Sequence, residues 1–151
     1  HGADRTVVGI TGTKGKSTVT SLLGALGSAH GLRVGVAGNL GVPVFAPGWD
    51  GDAPIIVLEV SSYQAADLHH VPDVAVVTFL SEDHLSWHGG VDQYVADKLR
   101  VVCNEGGVSA RGLVGAAEGG CCIPPRVTGQ GVFARAPQAF LIWFANLIVR
   151  K

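Results

Sequence analysis

The stretch ITGTKGKST, residues 10–18, decides the fold prediction for this 151-residue chain. It follows a short β-rich apolar run at 6–10 and precedes a helical pattern at 17–30, so a glycine-rich loop joins a buried strand to a helix. Glycines let backbone N–H groups turn toward a phosphate, and the positive end of a helix dipole follows directly. Lys16 can reach β- and γ-phosphates, and the Ser17 hydroxyl can take a Mg²⁺. The stretch therefore predicts a phosphate-binding loop.

The loop departs from the common P-loop pattern, GxxxxGK followed by Ser or Thr. That pattern requires a glycine where this chain has Ile10. A glycine turn with a solvated lysine is the alternative interpretation. The strand–loop–helix setting favours phosphate binding.

Strand and helix patterns alternate over the first two-thirds of the chain. We predict strands at 6–10, 33–37, 55–60 and 74–79, helices at 17–30, 62–69 and 91–102, and loops at 38–52 and 81–90. The first helix is expected to bury one apolar face, formed by Val19, Leu22, Leu23 and Leu26. Continuous apolar strands predict a three-layer α/β sandwich with a mainly parallel sheet of the P-loop type. Ligands of such sheets bind at the carboxyl ends of the strands.

The composition argues against several classes of protein. Hydrophobic residues make up 47% and charged residues 15%, whereas disordered chains are poor in apolar residues and rich in charge. The net charge of −1 gives no basic surface for nucleic acid, and no apolar run reaches the roughly 18 residues of a membrane span. The three cysteines match neither a disulfide framework nor a zinc site. We expect a cytoplasmic protein without nucleic-acid or membrane partners.

The chain divides by composition near residue 105. Residues 1–105 carry a net charge of −5, whereas 106–151 carry +4 and show no strand–helix alternation. We therefore predict that 1–105 form one α/β domain, which contains the phosphate-binding loop. Residues 106–151 are predicted to be a divergent tail, either weakly structured or a frame-shifted, non-native reading.

Charged side chains follow two of the predicted strands. Glu59 ends an otherwise apolar strand, where a carboxylate either reaches solvent or needs a partner such as a metal ion. Asp83 and His84 follow the next strand, and His84 is either a metal ligand or an ordinary loop histidine. Tyr94 and Lys98 lie four residues apart on one helix face, where an exposed lysine packing on the ring is the simpler alternative. Convergence of these strand ends with the glycine-rich loop favours a Mg²⁺–phosphate site.

Five motifs in order resemble the central ATPase domain of the Mur ligases. They are ITGTKGKST at 10–18, GNLGVP at 38–43, EVSSYQ at 59–64, LSEDHLSWHG at 80–89 and YVADKLR at 94–100. The phosphate loop of this family is GTxGK(S/T), which accounts for Ile10. The resemblance covers roughly residues 5–105, and the second and third motifs most resemble the members that add D-glutamate.

The resemblance implies an ATP-dependent carboxylate–amine ligase of peptidoglycan precursor synthesis. ATP would phosphorylate the carboxylate of UDP-N-acetylmuramoyl-L-alanine, and the amine of D-glutamate would attack the acyl phosphate. Family members also have an N-terminal domain for the uridine diphosphate and a C-terminal domain that closes on ATP. We therefore expect the chain by itself to be inactive, and the full-length enzyme to be monomeric.

The resemblance also assigns roles to the phosphate loop and to two Mg²⁺ ions. Lys16 would stabilise the transferring phosphoryl group. Ser17 and Glu59 would hold one Mg²⁺, while His84 and Lys98 would hold a second, with Lys98 carbamylated. The ATP phosphates would be bound by the whole loop, namely Gly12, Thr13, Lys14, Gly15, Lys16, Ser17 and Thr18.

The substrate side of the site follows from the same resemblance. Asn39, Ser61 and His84 would contact the muramoyl substrate, and Tyr94 would support Lys98 one helical turn away. Two positions depart from the family pattern. Phe79 replaces an Asn and Ser86 replaces an Asp, both near the second metal site.

Three alternatives compete with this interpretation. The first is another Mur ligase or a folylpolyglutamate-type amide ligase, which GNLGVP and EVSSYQ argue against. The second is a P-loop GTPase, but the sequence has neither an NKxD nor a DxxG motif. The third is a non-catalytic remnant that binds at most Mg-ATP, which only binding data would distinguish.

Overall fold

The computed structural model describes residues 5–39, 42–103 and 111–114. Within these ranges no helix combines the length and the apolar character needed to cross a membrane. The elements in chain order are β1 (Thr6–Thr11), α1 (Lys16–Ala29), β2 (Val34–Gly38), β3 (Ile55–Glu59), α2 (Ser62–Ala66), β4 (Val74–Val77), α3 (Leu85–His88), α4 (Val91–Leu99) and β5 (Arg111–Val114).

The five strands form one parallel sheet in the order β2-β3-β1-β4-β5. Glu59 lies opposite Ile10 on one side and Gly38 on the other. Thr11 lies opposite Val77. The carboxyl ends of β1, β2, β3 and β4 therefore meet at one edge, where ligands of parallel sheets bind.

Apolar side chains cover both faces of the sheet. On one face α1 packs on the sheet through a buried cluster made of Val8, Ile10, Leu23, Val57, Val74 and Val76. On the other face α2 and α4 contribute to a second cluster made of Ala65, Ala75, Val77, Leu80, Leu99, Val101 and Val102. Alternate residues of β4 thus serve opposite cores, as the pleat of a strand requires. The predicted three-layer α/β sandwich is confirmed.

The structure corrects three details of the predicted elements. The predicted loop at 81–90 contains α3, which is too short for an apolar period to reveal. The helix predicted to reach residue 102 ends at Leu99. Leu22, predicted to be buried, is 42% exposed. Part of the buried face of α1 consists instead of Gly24 and Gly27, which carry no hydrophobic signal.

The sheet continues past the compositional boundary at residue 105. Arg111–Val114 pair in parallel with β4 and add a fifth strand. A strand of four residues is too short to change the local composition or charge. A boundary drawn from these two properties therefore leaves β5 on the wrong side. The rest of the predicted tail at 106–151 lies outside the described residues.

The two helix glycines set how closely α1 approaches β2. A Cβ atom at Gly27 would lie 2.4 Å from Cγ2 of Val34, and one at Gly24 would lie 2.7 Å from Cγ2 of Val36. Both distances are too short for a methyl group. Valine cannot easily swing aside, because its χ1 angle is stiff.

We predict that Gly27→Ala lowers the free energy of unfolding by about 1 kcal/mol, because overpacking outweighs the gain in helix propensity. In a Val34→Ala background, where the clashing methyl group is absent, Gly27→Ala should instead raise the free energy of unfolding by up to about 1 kcal/mol. Urea denaturation of the four proteins measures both values. A stabilising Gly27→Ala in the native background would contradict close packing here.

Candidate active site

The glycine-rich loop is fastened to the chain that leaves β4. The amide of Thr78 donates to the carbonyl of Thr11 at 2.9 Å, and the amide of Thr13 donates to the carbonyl of Phe79 at 2.6 Å. The Thr78 hydroxyl donates to the carbonyl of Lys14 at 2.7 Å. The loop is thus held from its beginning to its middle by residues more than 60 positions away.

Glycine is required at the first position of this loop. Gly12 has a φ of 142°, and a Cβ atom there would lie 2.1 Å from the Thr78 hydroxyl oxygen. Gly15 precedes α1 and provides no side-chain cap. The first amides of α1 therefore stay open to an anion, as a phosphate site at a helix N-terminus requires.

The polar side chains of the loop lie where the sequence predicts them. The Lys16 ammonium donates to the carbonyl of Thr13 at 3.2 Å. Ser17 and Thr18 are exposed in the first turn of α1, and Lys14 is exposed in the loop. This arrangement leaves the loop accessible to a ligand.

The Thr13 hydroxyl joins the loop to α4. It donates to the Ser81 carbonyl at 2.9 Å and accepts from the Ser81 amide at 3.0 Å. The Tyr94 hydroxyl lies 2.8 Å from the Thr13 hydroxyl, and the two are hydrogen-bonded. Burial raises the pKa of Tyr94; the hydrogen bond to Thr13 opposes that shift, and the charge of Asp83 adds to it.

Lys98 is buried against the same loop. The residue is only 2% exposed, and its ammonium donates to the carbonyl of Gly12 at 2.8 Å. The ammonium lies 4.9 Å from the centre of the Tyr94 ring, one turn earlier on α4. The pKa of Lys98 is lowered to about 8: burial is the main cause, the charge of Lys16 adds to it, and the charge of Asp83 opposes it. The alternative of an exposed lysine is wrong, whereas the contact with Tyr94 is confirmed.

Glu59 is buried at the carboxyl end of β3, so the alternative in which it reaches solvent is also wrong. It is 2% exposed, and its Oε1 accepts from the Asn39 side chain at 3.3 Å. Its Oε2 has no hydrogen-bond partner among the described residues. A buried, unpartnered carboxylate oxygen fits the chemistry of Mg²⁺, which prefers oxygen ligands.

Ser61 and His84 each precede the first residue of a short helix. Ser61 caps α2: its hydroxyl accepts from the amide of Gln64 at 3.2 Å, and its amide donates to the Gln64 side chain at 2.8 Å. His84 is exposed in the left-handed region, with a φ of 50°, and begins α3. Its Nε2 lies 3.4 Å from Oδ2 of Asp83.

In the described part of the chain, no three His, Cys, Asp or Glu side chains come together as a metal cluster. These four residue types by themselves therefore provide no complete ligand set for a metal ion in this part of the chain. An ion at either position would need other oxygen ligands, such as the Ser17 hydroxyl, a phosphate or a carbamate on Lys98. The two-metal arrangement stays a prediction.

The sequence patterns did not predict the buried pair formed by His88 and Asp97. His88 Nδ1 lies 2.6 Å from Asp97 Oδ2, and both residues are buried. One signal was available: Tyr94, Asp97, Lys98 and Val101 are spaced like a buried helix face. Polar residues at such positions indicate a polar network packed against the core.

The sheet, the glycine-rich loop and the helices on both faces define a three-layer α/β domain. Residues 10–108 match the Mur ligase middle domain, so the chain belongs to the Mur ligase family.

Curated relatives agree with this assignment. A UDP-N-acetylmuramoylalanine--D-glutamate ligase of Desulfotalea psychrophila is 49% identical over 107 residues, which cover 68% of this chain and 23% of that protein. The protein of the same name from Wolbachia pipientis is 40% identical over 97 residues, or 64% of this chain and 19% of that protein. A UDP-N-acetylmuramoyl-L-alanine--L-glutamate ligase of Micromonospora is 48% identical over 101 residues, which cover 66% of this chain and 22% of that protein. The chain spans about a fifth of the length of these relatives.

A solved structure supports the fold. The crystal structure of MurF from Acinetobacter baumannii matches with a TM-score of 0.55 and 22% sequence identity. The match covers 77% of this chain and 28% of that one. At this identity the similarity concerns the fold alone.

The lowered pKa of Lys98 predicts a pH dependence of stability. The pKa of Lys98 is about 8 in the folded state, whereas the ordinary pKa of a lysine side chain is 10.5. Between pH 8 and pH 10.5 the unfolded state therefore binds more protons than the folded state. The free energy of unfolding should therefore rise with pH across this window, by at most about 3 kcal/mol. Urea denaturation in CO₂-free buffers measures it, with Lys98→Met as the control that removes the titrating amine. If the difference between the two proteins is independent of pH, Lys98 has an ordinary pKa.

Proposed function

We propose that this domain is the ATP-binding centre of a ligase of peptidoglycan precursor synthesis, which joins D-glutamate to UDP-N-acetylmuramoyl-L-alanine. Membership of the Mur ligase family and the names of relatives 40–49% identical support the proposal. The observation that carries it is the buried Glu59 carboxylate, with one unpartnered oxygen, at the sheet edge where the glycine-rich loop begins. We expect a cytoplasmic location with small-molecule substrates, and neither nucleic acid nor a membrane as partner.

In the proposed reaction the γ-phosphoryl group of ATP moves to the substrate carboxylate and forms an acyl phosphate. The amine of D-glutamate attacks the acyl carbon, and phosphate leaves from the tetrahedral intermediate. The loop amides and Lys16 stabilise negative charge on the transferring group, which is the main task in phosphoryl transfer. Gly12 lets the backbone come close enough, because any Cβ atom there would meet Thr78.

Two Mg²⁺ ions complete the proposed site. Ser17 and Glu59 would hold one ion, and His84 and carbamylated Lys98 would hold the other. When bound, the ions shield the repulsion between the anionic reactants. Asn39 orients the Glu59 carboxylate through its hydrogen bond.

The lowered pKa of Lys98 supports the carbamate. Only an uncharged amine can add to CO₂, forming a C–N bond and releasing a proton, and a pKa of about 8 keeps part of Lys98 uncharged near neutrality. The product replaces an ammonium, which repels a metal ion, with two oxygen ligands. Burial, the main cause of the lowered pKa, thus also prepares the lysine for the modification.

Substrate contacts come from the carboxyl ends of β2 and β3 and from α3. We propose that Asn39, Ser61 and His84 contact the muramoyl substrate. The capping of α2 by Ser61 holds its hydroxyl at this edge. For this chain by itself we propose Mg-ATP binding without ligation, with residues 1–105 as the nucleotide-binding part and 106–151 as a divergent tail.

A second candidate is the addition of L-glutamate. The Micromonospora relative with that name is 48% identical, within one percentage point of the most similar D-glutamate relative quoted above. Profiling both enantiomers with a ligase that contains this domain distinguishes the two. The D-glutamate proposal is rejected if only the L-enantiomer is consumed.

We predict that the chain binds Mg-ATP in calorimetric titration and that Lys16→Ala weakens binding at least about tenfold, since a charge-assisted contact to phosphate is lost. Arg33→Ala is the matched control. It removes one positive charge beside β2 at the opposite sheet edge, where Arg33 pairs with Asp50, and should leave the affinity unchanged. No binding to a chain folded by circular dichroism would favour the non-catalytic remnant.

We predict that Glu59→Gln abolishes the part of the thermal stabilisation by ATP that depends on Mg²⁺. Without ligands the variant should be as stable as the native chain, or about 1 kcal/mol more stable, because a neutral amide relieves an unpaired buried carboxylate. Thermal denaturation with and without Mg²⁺ measures both effects. Asp67→Asn, an exposed carboxylate at the end of α2, should keep the Mg²⁺ effect. An undiminished Mg²⁺ effect in Glu59→Gln rules out this metal ligand.

A further inference from the structure

A buried hydrogen-bonded pair ties the end of α3 to the last turn of α4. The side chains of His88 and Asp97 are 0% and 7% exposed, and they meet through the 2.6 Å contact between Nδ1 and Oδ2. The other carboxylate oxygen of Asp97 accepts from the side chain of Gln93 at 2.7 Å. Both oxygens of the carboxylate therefore have partners, and its orientation is fixed.

The two helices joined by this pair carry two of the proposed site residues. His84 begins α3, four residues before His88, and Lys98 follows Asp97 on α4. We propose that His88 and Asp97 are positioning residues that hold α3 and α4 in one register, so that His84 and Lys98 face the phosphate loop together. The functional meaning of this placement rests on the function proposed above.

Aromatic contacts connect the pair to the loop. The His88 ring lies 5.2 Å from the Tyr94 ring and 4.4 Å from the Trp87 ring, both in edge-on geometry. Tyr94 in turn lies beneath the Lys98 ammonium and is hydrogen-bonded to Thr13 of the loop. A shift of His88 would therefore move the surface on which Lys98 rests.

Packing alone does not account for a polar pair at this position. Two apolar side chains could fill the same space, but they would tolerate sliding, whereas a short hydrogen bond is directional. When His88 Nδ1 donates to Asp97, its Nε2 is the remaining ring nitrogen, and it is buried without a partner among the residues described. The pair therefore fixes one geometry between the two helices, although it leaves His88 Nε2 without a hydrogen bond to any residue that the structure describes.

The test is acetylation of individual lysines by acetic anhydride, read by mass spectrometry on the nucleotide-free chain. His88→Phe keeps an aromatic ring and removes the hydrogen bond. Acetylation of Lys98 should rise at least about fivefold, because loosening of α4 exposes the amine, while that of Lys14 stays unchanged. His88→Asn, whose amide nitrogen can replace Nδ1, should return Lys98 to within about twofold of the native value.

Leu99→Ala is the control for stability alone. It removes apolar contacts from the same helix, leaves the pair intact and should keep Lys98 acetylation near its native value. The proposal is overturned if His88→Phe leaves Lys98 unchanged, if His88→Asn gives no rescue, or if Leu99→Ala exposes Lys98 as much as His88→Phe does.

A second variant covers the case in which His88→Phe does not fold. Asp97→Leu keeps a similar volume but offers no hydrogen-bonding atom to His88 or Gln93, so Lys98 acetylation should rise about threefold. An unchanged value overturns the proposal. Because the labelling requires no nucleotide, failure of the ligase proposal appears separately, as absent Mg-ATP binding with the acetylation ratios intact.

Discussion

The hydrogen bonds between the loop after β1 and the chain that leaves β4 are the constraint on which the site depends. They join residues more than 60 positions apart, so they exist only once β1 and β4 are paired. They bring Thr78 so close to Gly12 that no side chain fits there. A loop held this firmly presents its amides in one arrangement before any ligand arrives, which lowers the cost of binding an anion.

Three polar groups that fit the fold poorly lie on the elements that surround this loop. Glu59 has an unpartnered oxygen, Lys98 is a buried amine, and His88 has an unpartnered ring nitrogen. Each is unfavourable for stability in isolation. Such exceptions are expected at functional sites, where a ligand or a defined geometry offsets the cost. The charge of Lys16 adds to burial in lowering the pKa of Lys98, so two cationic side chains act on the same loop.

Elements with a strong local signal could be predicted, and those that depend on distant partners could not. Four strands and the helix after the loop follow from continuous apolar runs and a 3.6-residue period, and the ends of these elements in the structure differ from the predicted ends by at most two residues. The helix α3 is too short for a period, and β5 pairs with β4 without changing the composition. Leu22 was misassigned because glycines, which packing places against β2, have no hydropathy to reveal a buried face. In the site, the chemistry of Lys16 and Glu59 could be inferred from residue type, whereas the His88–Asp97 pair could not.

The sequence by itself determined which chemical groups are present and the order in which they leave the strands. A glycine-rich loop, a carboxylate at the end of an apolar strand and a lysine one turn after a tyrosine are all local patterns. Tertiary structure alone decided that Lys98 is buried on the carbonyl of Gly12, that Glu59 keeps one oxygen unpaired, and that Asp97 meets His88. The physical reason is that burial and hydrogen bonding depend on neighbours brought together by the parallel sheet, and these neighbours are far away in the chain.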